Sequence, residues 1–164
     1  MTELQLIQLA ESVVGKLRAE NKTLGLAESC TGGWLSKIIT DVSGASAVYN
    51  GGICSYSNAV KIKLLGVKEE TLALYGAVSE QTAREMAVGA KNALGSDIGV
   101  GITGIAGPLS DNTLKSVGLI YVAVAFNDTV IVKQLNNNFT DDVRLNNRLS
   151  AVETALRLLG DINE

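Results

Sequence analysis

The chain contains no histidine, so the Ser-His partnership of most serine hydrolases is excluded and any nucleophile here must find another base. It has two cysteines, Cys30 and Cys54, with neither C-x-x-C spacing nor companion histidines, which leaves no ligand set for a zinc site. The 14 Lys and Arg are scattered and the formal net charge is −3. Nucleic acid is therefore not the expected partner, because binding to a phosphate backbone rests on clustered cations. Long apolar runs are also missing. The longest, GLIYVAVAF, stops at Asn127, well short of the roughly 18 to 20 residues that a membrane span requires. Glu3, Glu11 and Glu20 interrupt the first twenty residues, against the basic-then-apolar layout of a signal peptide. These absences together lead us to expect a soluble, cytoplasmic protein without a metal.

What is present fits one domain over residues 1–164, since 46% of the 164 residues are apolar and can furnish a sizeable core. Apolar residues at helical spacing predict a helix over 3–19. LGLA at 24–27 reads as a short strand, and GGWLSKIITDV as a helix with Thr31 as its N-cap. SAVYNGGICSYS reads as a strand with an irregularity at Asn50-Gly51-Gly52, followed by a short helix, AVKIKLLG, that Gly66 ends. EETLALYG and SEQTAREMAVGAKNAL read as two further helices. DIGVGITGIAGP begins as a buried strand and becomes a glycine loop closed by Pro108, the only proline. VGLIYVAVAF and TVIVKQLNNNF flank Asn127-Asp128 as a hairpin, and a helix over 140–159 closes the chain. The expected fold is a three-layer α/β/α sandwich on a mixed sheet of about five strands, with helices on both faces. Ligands gather at strand ends in such sheets, and AESCTGG and TGIAGP would both lie there.

Ser29 within AESCTGG stands on a strand-to-helix turn, where it is either a nucleophile beside unpaired backbone N–H donors or, with Thr31, a helix cap. Without histidine, a lysine of lowered pKa is the natural base. Lys61 lies four residues after Ser57 on the same helical face, with Lys63 near enough to add to its field, although a solvated surface lysine has the same pattern. Thr103 in GITGIAGP is a ligand donor or a strand-end cap. A dinucleotide fingerprint read from Gly101 would need its third glycine at 106, which is Ala106. Arg144 and Arg148, at i and i+4, can share a phosphate or carboxylate, or pair with Asp141 and Asp142.

Taken in order, AESCTGGW, YSNAVK, GVKEETL, GAVSE and TGIAGP resemble the C-terminal domain of the CinA family, whose stand-alone members are nicotinamide-nucleotide amidases. The resemblance runs over essentially the whole chain. It implies a cytoplasmic, usually dimeric amidohydrolase that converts nicotinamide mononucleotide to nicotinic acid mononucleotide and ammonia without a cofactor. By the same resemblance Ser29 is the nucleophile, Lys61 the base, and Tyr56 and Thr103 polar helpers. Substrate contacts are implied at Thr31, Gly32, Gly33, Asn58, Gly104, Arg144 and Arg148. Relatives continue after the proline with Asp-Gly-Gly, whereas this chain has Leu109-Ser110-Asp111-Asn112. That departure favours a second reading, a catalytically silent module that binds pyridine nucleotides or a protein.

Overall fold

A computed structural model describes residues 1–162. Among these, five strands form one mixed sheet in the order β2-β1-β3-β4-β5, with β1 Leu24–Glu28, β2 Tyr49–Cys54, β3 Ile98–Gly104, β4 Leu119–Phe126 and β5 Thr129–Asn136. The first three strands are mutually parallel, and β4 and β5 run antiparallel as the hairpin over Asn127-Asp128. The irregularity in β2 is a bulge: Leu24 pairs with Tyr49 and Gly25 with Gly51, so Asn50 is the extra residue.

Helices cover both faces, as the sequence predicts. Alternation along the strands sends Leu24, Leu26, Val100, Ile102, Ile120, Val122 and Val124 to one face. There they meet α1 (Glu3–Ala19), α2 (Trp34–Thr40) and α6 (Val143–Asp161). The opposite face carries small residues, Ala27, Gly99, Gly101, Ala123 and Ala125, and α5 (Glu80–Ala93) lies directly on it. A Cβ at Gly99 would sit 2.0 Å from the Ala87 carbonyl oxygen, and one at Gly101 would sit 2.5 Å from that of Ala83. Gly99-Val100-Gly101-Ile102-Thr103-Gly104 does have the G-x-G-x-x-G spacing, two residues upstream of the frame that starts at Gly101. It lies within β3, however, where its first two glycines admit a helix rather than a pyrophosphate.

The short helices α3 (Asn58–Leu65) and α4 (Glu69–Tyr75) complete the layer beside α5. Gly66 ends α3 in the left-handed conformation, φ 67°. The last helix starts at Val143 rather than 140, because Asp142 has φ 43° and breaks the helical path. This topology places the C-terminal ends of three parallel strands side by side. Ser29 follows β1, Ser55 and Tyr56 follow β2, and Thr103 and Gly104 end β3.

Candidate active site

A solvent-open cleft of about 260 Å³ lies at those strand ends, lined by Ser29, Tyr56, Lys61, Thr103, Gly104 and Arg144 among others. Ser29 is anchored by its own backbone, its N–H donating to the Ile102 carbonyl of neighbouring β3 at 3.0 Å. Lys61 comes from the first turn and a half of α3, which Ser57 caps by accepting from the Val60 N–H. Its side chain turns inward and is only 1% exposed, so it is not a solvated surface lysine. Nζ stands 3.2 Å from Ser29 Oγ and donates to the Ser55 carbonyl oxygen at 2.6 Å.

Burial without a facing carboxylate lowers the pKa of Lys61 below its ordinary value, since the ammonium loses hydration and no opposite charge compensates it. The expected help from Lys63 is not the cause. Cys30, the one group that pulls the other way, is itself buried, and its thiol is pushed up to about 11. It is therefore uncharged near neutral pH and does not hold the ammonium there. The outcome is a lysine biased toward the free amine, with one N–H committed to Ser55 and its lone pair free to face a hydroxyl.

Other residues singled out in the sequence divide between the cleft and its supports. Tyr56 is exposed, and its hydroxyl accepts from Arg144 at 3.2 Å; Arg144 also donates to the Gly107 carbonyl at 2.9 Å. Thr103 is buried in the cleft wall and donates its hydroxyl to the Ala77 carbonyl at 2.7 Å. Arg148 does not reach the cleft with its partner at 144. Its guanidinium donates to the carbonyls of Cys30 at 3.1 Å and Thr31 at 2.8 Å and lies 5.0 Å from the Trp34 ring centroid. Neither arginine is paired with Asp141 or Asp142 among the described residues. Asn58 opens α3 on the surface, outside the cleft lining.

The glycine turn also differs from expectation. Thr31 does not cap α2: its hydroxyl is buried with no partner among the described residues, and the helix starts after Gly33. Gly32 and Gly33 lie outside the cleft lining, and what they contribute is conformation, with φ of 61° and 92°. The cap is Glu28, the residue before Ser29. Its carboxylate reaches over the turn to accept from the N–H groups of Leu35 at 3.0 Å and Ser36 at 2.8 Å, and from the Ser36 hydroxyl at 2.7 Å. Glu28→Ala would remove all three bonds, at a cost of about 2–4 kcal/mol in stability. Urea unfolding should show the loss; a midpoint equal to that of the unchanged chain would mean the turn stands without this carboxylate.

Sequence reasoning also passed over Asn147, buried one turn along α6, which donates to the Ala106 carbonyl at 3.0 Å. With Arg144 and Arg148 it pins both glycine loops, through carbonyls of Cys30, Thr31, Ala106 and Gly107, to the start of one helix. Its only sequence signal is its position between the two arginines. Among the described residues no group of three or more Cys, Asp or Glu is placed to hold a metal, and no helix is long and apolar enough to cross a membrane.

The family described as the CinA C-terminal domain matches residues 6–162. A putative competence-damage inducible protein of Thermoanaerobacter sp. is 54% identical over 126 residues, 76% of this chain and 30% of that protein. The nicotinamide-nucleotide amidohydrolase PncC of Escherichia coli is 49% identical over 125 residues, 76% of each chain. The chain thus spans about 30% of the length of several curated relatives and most of the length of others. In three dimensions it resembles the competence/damage inducible protein CihA from Agrobacterium tumefaciens, with TM-score 0.90 and 36% identity over 97% of this chain and 94% of that one.

Proposed function

The chain belongs to the CinA C-terminal domain family, and from that premise we propose that these residues form one amidohydrolase domain. Its substrate on this reading is nicotinamide mononucleotide, cleaved to nicotinic acid mononucleotide and ammonia by a Ser29–Lys61 pair. The observation that carries the reading is the buried Lys61 Nζ at 3.2 Å from Ser29 Oγ, on the floor of an open cleft. The curated relative PncC, which this chain matches over 76% of its length, is named for the same reaction.

Lys61, as the free amine, takes the Ser29 proton while Oγ bonds to the carboxamide carbon. The oxyanion that develops needs backbone donors. Gly32 N–H is committed to the Ser29 carbonyl at 3.1 Å, and 31–33 lie outside the cleft, so this reading assigns the role to the N–H of Cys30, the residue after the nucleophile, with Gly104 on the same lining as the other backbone candidate. Lys61 then passes its proton to the departing nitrogen, the C–N bond breaks, and ammonia leaves. Water, activated by the same amine, cleaves the acyl-Ser29 ester and returns Ser29 to its hydroxyl form. Lysine serves as both base and acid, so the scheme calls for neither metal nor organic cofactor.

Arg144 is the cation on the cleft lining, held at its rim by Tyr56 and Gly107, and is assigned to the substrate phosphate. Arg148 and Thr103 are assigned to holding the walls. A cytoplasmic homodimer acting in pyridine-nucleotide recycling completes the reading.

The test is ammonia release from the purified protein given nicotinamide mononucleotide, with nicotinamide riboside alongside. Turnover of the nucleotide is expected, with the riboside poorer by about tenfold or more in kcat/KM for want of the phosphate. Tight nucleotide binding with no ammonia would replace this reading with the silent module.

A further inference from the structure

The turn joining α4 to α5 walls the cleft through Ala77 and Val78, and its carbonyls are claimed by side chains both from the start of α5 and from farther along the chain. Gly76 O accepts from Thr82 Oγ1 at 2.7 Å, and Ala77 O accepts from Thr103 Oγ1 at 2.7 Å. The carbonyls of Tyr75 and Val78, on either side of these, both accept from one ammonium, that of Lys115, each at 2.5 Å. Lys115 belongs to the loop from 105 to 118 between β3 and β4, and Leu109, Ser110 and Asp111 of that loop line the cleft.

Little else among the described residues holds the middle of that loop. Its base is closed by Ile105 N–H to Leu119 O and Gly118 N–H to Ile105 O, and α6 grips it at Ala106 and Gly107. Beyond Pro108 the hydrogen bonds among the described residues are mostly local turns, Asp111 with Thr113, Ser110 with Asn112 and Thr113 with the Lys115 N–H. Apolar burial does not hold it either, because Leu109 is 84% exposed and Leu114 is fully exposed. A cation shared by two carbonyls, one of them at the C-terminal end of α4, makes two charge-assisted bonds in a favourable helix-end field. The approach is close enough that a Cβ on Gly76 would lie 3.2 Å from Nζ.

We propose that Lys115 is a positioning residue, which fastens the 109–114 segment to the α4–α5 turn and so sets the outer wall of the cleft against which substrate is held. It does not touch the reacting atoms. The inference rests on the reading of this cleft as the nucleotide amidase site, but its mechanical part can be checked independently.

Two variants separate the outcomes: Lys115→Met keeps the aliphatic stem and removes the ammonium, and Lys115→Arg can still span two carbonyls. Hydrogen exchange is followed by mass spectrometry in the free protein, and KM and kcat by ammonia release. With methionine, exchange over 109–117 should quicken by about tenfold or more while β1, β3 and α5 keep their protection. KM should rise about tenfold with kcat held within about threefold, and arginine should restore both. Unchanged exchange in the methionine variant overturns the fastening. Faster exchange with unchanged KM, or a fall in kcat at constant KM, overturns the positioning role. If the unmodified protein fails to turn over nicotinamide mononucleotide, the amidase reading falls, and the exchange result still decides whether Lys115 is the fastener.

Discussion

Ser29→Ala is expected to reduce ammonia release by roughly ten-thousand-fold or more while leaving the fold in place, because the reaction proposed here has no other route to the acyl-enzyme. The protein should tolerate the change well. What anchors residue 29 is its backbone bond to Ile102, and the partner of its hydroxyl among the described residues is Lys61. An unfolding midpoint close to that of the unchanged chain, combined with lost turnover and retained nucleotide binding, is the outcome that isolates chemistry from structure. Equal turnover by the alanine variant would remove Ser29 from the mechanism. The double variant with Lys61→Met should be no slower than the worse single one, since a nucleophile and its base act as a unit and their losses do not add.

Much of the fold was legible because its signals are local. The helical spacing over 3–19, the Asn127-Asp128 hairpin turn and the glycine after α3 each report on a few adjacent residues, and each matches an observed element. Gly99 and Gly101 show the limit. Their spacing has the form of a phosphate loop, but their meaning depends on α5 passing 2.0 to 2.5 Å from where a Cβ would be, and no local pattern contains that helix.

The site was legible to the same degree and no further. Ser29 and Lys61 are 32 residues apart in sequence, and they could be joined only through the requirement that a serine without histidine have another base, together with the family resemblance. Their supports stayed hidden for a shared reason: each acts on a backbone group far along the chain. Glu28 reaches forward over a turn to a helix start, which no capping-box spacing describes. Arg148 looked like the partner of Arg144 because the two share a helical face, yet one goes to Cys30 and Thr31 and the other to Gly107 and Tyr56. Periodicity tells which way a side chain leaves its helix, and the length of an arginine leaves its endpoint to the surrounding carbonyls.

Lys61→Met should cost activity on the scale of Ser29→Ala, about a thousand-fold or more, and it should also change how stability depends on pH. In the unchanged protein, activity is expected to rise with pH through an apparent pKa below the ordinary lysine value of 10.5, as burial sheds the proton from Nζ and frees the lone pair for Ser29. A profile flat from neutral to alkaline pH would take the base role away from Lys61. Stability carries the same signature. Between the folded pKa and 10.5 the unfolded chain binds the lysine proton and the folded one does not, so the free energy of unfolding rises with pH across that window. Below the folded pKa the buried ammonium is a full penalty. Methionine has no proton to shed, so urea midpoints measured across the window should lose that part of their rise, even though the Ser55 carbonyl is left without its 2.6 Å donor at every pH. The constant cost and the pH-dependent gain are thus separable in one titration series, and parallel curves for the two proteins would mean that Lys61 keeps an ordinary pKa in the folded state.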